Sequence, residues 1–262
     1  MGVLNVTPDS FSDGGRFSNL ESALHQARSM IADGAAIIDV GGESTRPGAD
    51  SVSVQKELDR VVPVIEAIRA EFDVTISIDT SKPTVMCDSV SAGATMINDV
   101  CALQVDGALE AAVELQKPVC LMHMQGDPRS MQADPQYDDV VEEVTEFLRD
   151  RVAQCVAAGL NQKLLVVDPG FGFGKTVEQN IELLANLRQF QDVGCPVLIG
   201  VSRKSTLGEM SGRDVEDRVA ASVAAATVAV MHGADIIRAH DVRATVDAVN
   251  VAYLLSEAGR NE

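Results

Sequence analysis

The stretch TISIDTSKPTVMCDSVSAGATMIND, residues 75–99, decides the fold. Thr75 to Asp79 reads as a short apolar strand stopped by an aspartate. Pro83 suits the first turn of a helix, where its missing N–H is not needed, and Thr95 to Asp99 reads as a second strand stopped in the same way. A strand, a helix and a strand in succession run the two strands parallel, because the helix returns the chain to the starting end of the sheet. The unit repeats along the chain. Its apolar runs are VLN ending at Asn5, IIDVGGESTR to Arg46, TISID to Asp79, MIND to Asp99, VCLMH to His123, LLVVD to Asp168, PVLIGVSRKS to Ser205 and IIRAH to His240. Helical periodicity fills the intervals, at about 20–33, 54–72, 107–115, 140–158, 178–191, 215–231 and 243–258. The pattern predicts one α/β domain over residues 1–262, a single eight-stranded parallel (β/α)8 TIM barrel. All eight polar stops then lie at the end where such barrels bind ligands.

Composition agrees with a barrel. Hydrophobic residues make up 46% of the 262, yet aromatics are 3% and Trp is absent, which suits an interior filled by Val, Ile, Leu and Ala. No apolar run approaches the roughly 18 residues of a membrane span, and no basic leader precedes the first strand, so no membrane partner and a cytoplasmic location are expected. The five cysteines, Cys87, Cys101, Cys120, Cys155 and Cys195, are odd in number and unpaired in spacing, which predicts buried thiols in a reducing compartment and no zinc site. A net charge of -18 would repel a polyanion and excludes nucleic acid as a partner. Against that background Arg46, Arg203, Lys204 and Arg238 stand at strand ends and are expected to form a local positive pocket.

Two glycine-bearing motifs fail on inspection. DPGFGFGKT, residues 168–176, resembles a phosphate loop, but Pro169 occupies the position of its first glycine, and a dinucleotide fingerprint would need glycine at Lys175. A tight turn or the admission of a flat ligand would each explain the glycines. The carboxylates say more. Asp79 and Asp168 end apolar strands and should point into the barrel mouth with Asn98, with Lys204 opposite. Such acceptors suit a heterocycle bearing N–H and amino donors. Arg238 and His240 share one face of the last strand, and with Arg46 and Asn5 would meet an anionic group near where barrels bind phosphate. Charge alone leaves ion pairing with the many acids equally open.

GVLNVTPDSFSDGG, IIDVGGESTRPGA, ISIDTSKP, INDV, LMHMQGDP, DPGFGFGKT, VSRKS and RAHD, in that order, resemble the motifs of the bacterial dihydropteroate synthase family over nearly the whole chain. The resemblance implies condensation of a hydroxymethyl-dihydropterin diphosphate with 4-aminobenzoate, with Mg2+ assisting, pyrophosphate released, sulfonamides competing and a homodimer formed. It implies that Asp79, Asn98, Asp168 and Lys204 hold the pterin between Met122 and Phe173. Asn5, Thr45, Arg46, Arg238 and His240 would hold the diphosphate, Asn5 also meeting the Mg2+, and Phe11, Pro47, Lys204 and Ser205 would border the aminobenzoate. Asp79, Asp168, Lys204, Arg238 and His240 would carry the catalysis. Relatives usually begin with an extra segment, so a short N-terminal piece is expected before Met1. Ala239 stands where relatives have a branched residue. Methyltetrahydrofolate-dependent methyltransferases resemble the chain in the pterin-binding Asp and Asn residues, but need neither the SRKS nor the STRPG motif. A catalytically silent pterin-binding protein would not retain every residue assigned to chemistry.

Overall fold

The computed structural model describes residues 1–7, 16–44, 51–126 and 131–259. Six strands form one parallel sheet in chain order: β1 (Gly2–Asn5), β2 (Ile37–Gly41), β3 (Thr75–Asp79), β4 (Met96–Asp99), β5 (Val119–Met122) and β6 (Leu165–Asp168). Two shorter strands, β7 (Leu198–Ile199) and β8 (Ile236–Ile237), pair with each other in parallel. Single bridges close the ring: Val167 meets Val197 between β6 and β7, and Gly2 meets Ala239 between β8 and β1. Val3 N–H donates to the Ala239 carbonyl at 3.0 Å, and Ala239 N–H to that of Met1 at 2.9 Å. The eight-stranded parallel barrel expected from the sequence is thereby closed.

Strand residues alternate between the barrel interior and the helix layer. One alternation, including Leu4, Ile38, Val40, Ile76, Ile78, Ile97, Leu121, Val167 and Ile199, packs in the large core beneath the helices. The other packs Met96, Cys120, Val166 and Leu198 with Met1, Ile37 and Ile236 in a separate small cluster that fills the barrel's lower interior. Two residues further along the same strands the inward positions become Asp39, Asn98, Met122, Asp168 and Arg238. The interior is thus apolar at the base and polar at the mouth.

The outer helices are α1 (Arg16–Ala32), α2 (Val54–Glu71), α3 (Pro83–Ser91), α4 (Ala108–Leu115), α5 (Val140–Ala158), α6 (Val177–Ala185), α7 (Ser205–Ser211), α8 (Val219–Met231) and α9 (Val242–Gly259). Two expected helices are broken. The 178–191 prediction becomes α6 followed by a 3-10 turn over Leu187–Val193, and 215–231 becomes a 3-10 turn at Val215–Asp217 followed by α8. Helix α7 is additional: periodicity over seven residues is too short to be legible. At α6, Thr176 and Gln179 form a reciprocal capping box, Gln179 N–H to Thr176 Oγ1 at 3.2 Å and Thr176 N–H to Gln179 Oε1 at 2.8 Å. This fixes the end of the glycine-rich β6–α6 loop.

Candidate active site

The middle of β2 and the C-terminal ends of β3, β4 and β8 bring together a charged cluster inside the barrel. Arg238 donates from Nε to Asp39 Oδ2 and from Nη2 to Asp79 Oδ2, both at 2.7 Å. Asn98 donates from Nδ2 to the same Asp39 oxygen at 3.1 Å. Asp39 is fully buried, and Asp39 Oδ1 and Asp79 Oδ1 are buried atoms with no hydrogen-bond partner among the described residues. Burial raises the Asp79 carboxyl to about 7, although Arg238 favours its charged form. Asn5 and Asp79 flank Gly41: a Cβ there would lie 3.5 Å from Asn5 Oδ1 and 3.7 Å from Asp79 Oδ2.

The second half of the mouth is built by β6 and the two loops beside it. Asp168, paired in register with Met122, is buried and accepts from Gly170 N–H at 2.7 Å. Burial raises its pKa, and Lys204 opposes that rise. Lys204 lies with Nζ 4.3 Å from the centre of the Phe173 ring and donates to the Phe171 carbonyl. Its own pKa falls to about 7, because burial outweighs the attraction of Asp168. Gly172 explains how the lysine gets there: its φ is +82°, and a Cβ would lie 2.8 Å from Lys204 Cδ.

The glycine-rich loop is a tight turn that itself shapes the mouth. Lys175, 2% exposed, donates to the carbonyls of Phe173 at 2.9 Å and Gly170 at 3.1 Å, and Nζ stands 3.0 Å from His123 Nδ1. Burial lowers Lys175 to about 7, while burial and Lys175 together lower His123 to about 2. A neutral His123 accepts from the lysine. Lys175 thus fastens the loop from below.

The inward residues expected from the sequence, Asn5, Asp79, Asn98, Met122, Asp168 and Arg238, do meet at this end, with Lys204 and Phe173 from the loops. Ser205 opens α7 and is exposed, and His240 is half-buried, its Nδ1 3.1 Å from Ser202 Oγ. Phe11, Thr45, Arg46 and Pro47 lie outside the described residues. One expectation needs correction, that for Arg203, and two of the polar stops, Asp99 and His123, turn away from the interior. Asp99 ends β4 but faces away from the interior, where it accepts from Ser81 Oγ and from Cys101 and Leu103 N–H at 2.8 Å. His123 packs edge-on against Phe147 at 4.8 Å. Arg203 does not join the positive pocket: at φ +59° it turns outward into a two-bonded pair with Asp241, 2.6 and 2.9 Å, and so leaves Lys204 facing the mouth. Arg238 is itself enclosed by two carboxylates rather than standing as a bare cation. Asp39 was missed because it lies inside an apolar strand; counting in twos back from Gly41 would have found it. Among the described residues no group of three or more His, Cys, Asp or Glu is arranged to hold a metal.

The pterin binding enzyme family matches residues 1–240. A dihydropteroate synthase of Haemophilus influenzae is 53% identical over 251 residues, 96% of this chain and 91% of the relative. Among solved structures, a Yersinia pestis dihydropteroate synthase with a sulfonamide drug complex superposes with TM-score 0.93 at 52% identity, covering 100% of this chain and 94% of that one. A Xanthomonas albilineans dihydropteroate synthase with 4-aminobenzoic acid gives TM-score 0.92 at 50% identity, covering 97% and 91%.

Proposed function

The chain belongs to the pterin-binding enzyme family, and on that premise we propose that it is a dihydropteroate synthase, a transferase joining (7,8-dihydropterin-6-yl)methyl diphosphate to 4-aminobenzoate. The observation that carries this reading is the convergence of Asp79, Asn98 and Asp168 in one barrel mouth that also holds Lys204. Pterin N–H and amino donors meet the three acceptors, Lys204 donates to the ring, and Met122 and Phe173 cover its faces. Arg238, His240, Asn5, Thr45 and Arg46 receive the diphosphate, while Phe11, Pro47, Lys204 and Ser205 border the aminobenzoate. A sulfonamide competes for that last position.

In the reaction the methylene carbon leaves the diphosphate oxygen and bonds to the arylamine nitrogen, which loses one proton. Arg238 and His240 stabilise the departing charge, and Asp79 and Asp168 offset positive charge spread over the ring. An arylamine is neutral at pH 7, so no dedicated base is required. The amide oxygen of Asn5 beside Asp79 offers the hard oxygen donors that Mg2+ prefers, and the few protein ligands suit an ion held largely by phosphate and water. Asn5 would hold that ion, whose charge neutralises the leaving diphosphate.

Two further parts of the reading concern assembly and location. Val228 and Met231 on α8, and Val251, Tyr253, Leu254 and Leu255 on α9, are exposed apolar residues, Leu254 at 68%. Helices α8 and α9 pack against each other, and their apolar faces support a homodimer through these helices; Leu254→Arg should then halve the mass in solution to that of one chain. Five free cysteines suit the cytoplasm. The test of the activity is pyrophosphate release by purified protein given both substrates, with dihydropteroate identified by mass. Failure to form that product would overturn the reading.

A further inference from the structure

One inward carboxylate has no part in the chemistry just described. Asp39, in the middle of β2, is fully buried, and its Oδ2 collects a bond from β8, Arg238 Nε at 2.7 Å, and another from β4, Asn98 Nδ2 at 3.1 Å. A carboxylate only accepts, so the Asn98 amide must turn its NH2 toward Asp39 and present its oxygen the other way. The same oxygen holds the Nε edge of the guanidinium, while Nη2 reaches Asp79. We propose that Asp39 is a positioning residue: through Asn98 it sets the acceptor that a pterin ring meets, and through Arg238 it places the cation that the diphosphate meets. The proposal rests on the synthase reading above and adds a residue to it.

The physical reason lies in what remains when Asp39 is removed. Asn98 then has no partner that distinguishes its two ends, and a flipped amide turns a donor against a pterin donor. Arg238 loses the anchor of its Nε edge, keeps only its Nη2 bond to Asp79, and swings out of line with the diphosphate. Ser77 provides the comparison. It pairs in register with Asp39, is fully buried, and its Oγ has no partner among the described residues, so it shares the location without the two bonds.

The test is a double-mutant cycle read by binding of 6-hydroxymethylpterin, which lacks phosphate, and of inorganic pyrophosphate. Asp39→Ala should weaken both ligands by about tenfold or more, the scale of a lost buried hydrogen bond, while Ser77→Ala stays within about twofold of wild type. Because Asp39 acts on pterin through Asn98, Asp39→Ala combined with Asn98→Ala should bind pterin no worse than Asn98→Ala alone, to within about twofold. A purely structural role would instead multiply the two losses, and that result, or an unchanged pterin affinity in Asp39→Ala, overturns the proposal. If Asp39→Ala does not fold, Asp39→Asn carries the same cycle, with an expected pterin loss of about threefold and the same absence of multiplication. Losses that multiply in the cycle, in a protein whose wild type turns over both substrates, sink Asp39 alone; losses that do not multiply, in a protein whose wild type binds pterin but forms no dihydropteroate, sink the synthase reading alone.

Discussion

Arg238 and Asp79, 159 positions apart in the chain, meet across the barrel mouth with Nη2 2.7 Å from Oδ2. Each is assigned to a different part of the substrate, the arginine to the diphosphate and the aspartate to the pterin. Within the barrel they are bound to each other through Asp79 Oδ2, and Asp79 Oδ1 is left without a partner among the described residues.

Asp79 should leave a mark on the pH dependence of stability. Its carboxyl is raised from 3.8 to about 7 by burial, so between those values the folded protein holds a proton that the unfolded chain has released, and stability falls as pH rises. Asp79→Asn cannot ionise and should remove that fall. Denaturant midpoints of wild type and variant should therefore diverge between pH 4 and 7 and run parallel above. Lys175 and Lys204, lowered from 10.5 to about 7, act in the opposite sense, and stability should rise from pH 7 toward 10.5. Parallel wild-type and variant curves from pH 4 to 7 would mean that Asp79 ionises normally.

Arg238→Ala leaves Asp39 and Asp79 buried without their cation. Breaking such a pair from one side costs about 3 to 5 kcal/mol, readable as a lower denaturant midpoint. In the protein that still folds, pyrophosphate affinity should fall much more than affinity for a pterin lacking phosphates, because the charge-assisted bonds are lost to the anion alone. Equal losses in calorimetry would confine Arg238 to a supporting role.

Asp168→Asn tests the ring contact. The asparagine oxygen takes over the Gly170 N–H bond at the position of Oδ1, which leaves its NH2 facing a pterin donor. An unpaired buried donor costs about 1 to 3 kcal/mol, so the dissociation constant for 6-hydroxymethylpterin should rise about tenfold. An unchanged constant would remove Asp168 from the site.

Gly172→Ala should act on Lys204 without replacing a charged residue. At φ +82° the alanine is strained by about 1 to 2 kcal/mol, and its methyl would meet the lysine stem at 2.8 Å. Both stability and pterin affinity should fall. Ala at Gly212, also at positive φ but with nothing within 4 Å, should lower stability alone, so loss of pterin affinity in both would exclude the steric explanation.

The barrel was legible because each apolar run of the sequence stops at a polar residue, at or a few positions beyond the end of its strand, and the intervals have helical periodicity. The site was legible only as far as strand parity was applied. Asn98 and Asp99 are neighbours at the end of β4, yet the first enters the interior and the second caps the turn above it; Met122 and His123 divide in the same way. Asp39 shows the converse, an inward charge hidden among Ile37, Ile38 and Val40, where apolar neighbours mask its direction. Arg203 could not be placed from sequence at all, because its outward turn depends on a left-handed backbone and on Asp241, 38 positions away.

The ring is not equally fastened all the way round: β1 to β6 share continuous ladders, whereas β7 and β8 form a two-residue pair joined to the rest by one bridge on each side. Opening of that sector exposes few bonds and should require less free energy than opening of β2 to β5. Amide hydrogen exchange would register the difference, with Ile199 and Arg238 losing protection before Ile76 or Leu121. Lys204 and Arg238 hang from this sector while Asp168 and Asp79 stand on the firmer part. A ligand gripping all four therefore ties the loose sector to the rigid one, and the slowing of exchange on pterin diphosphate binding should be greatest in β7 and β8.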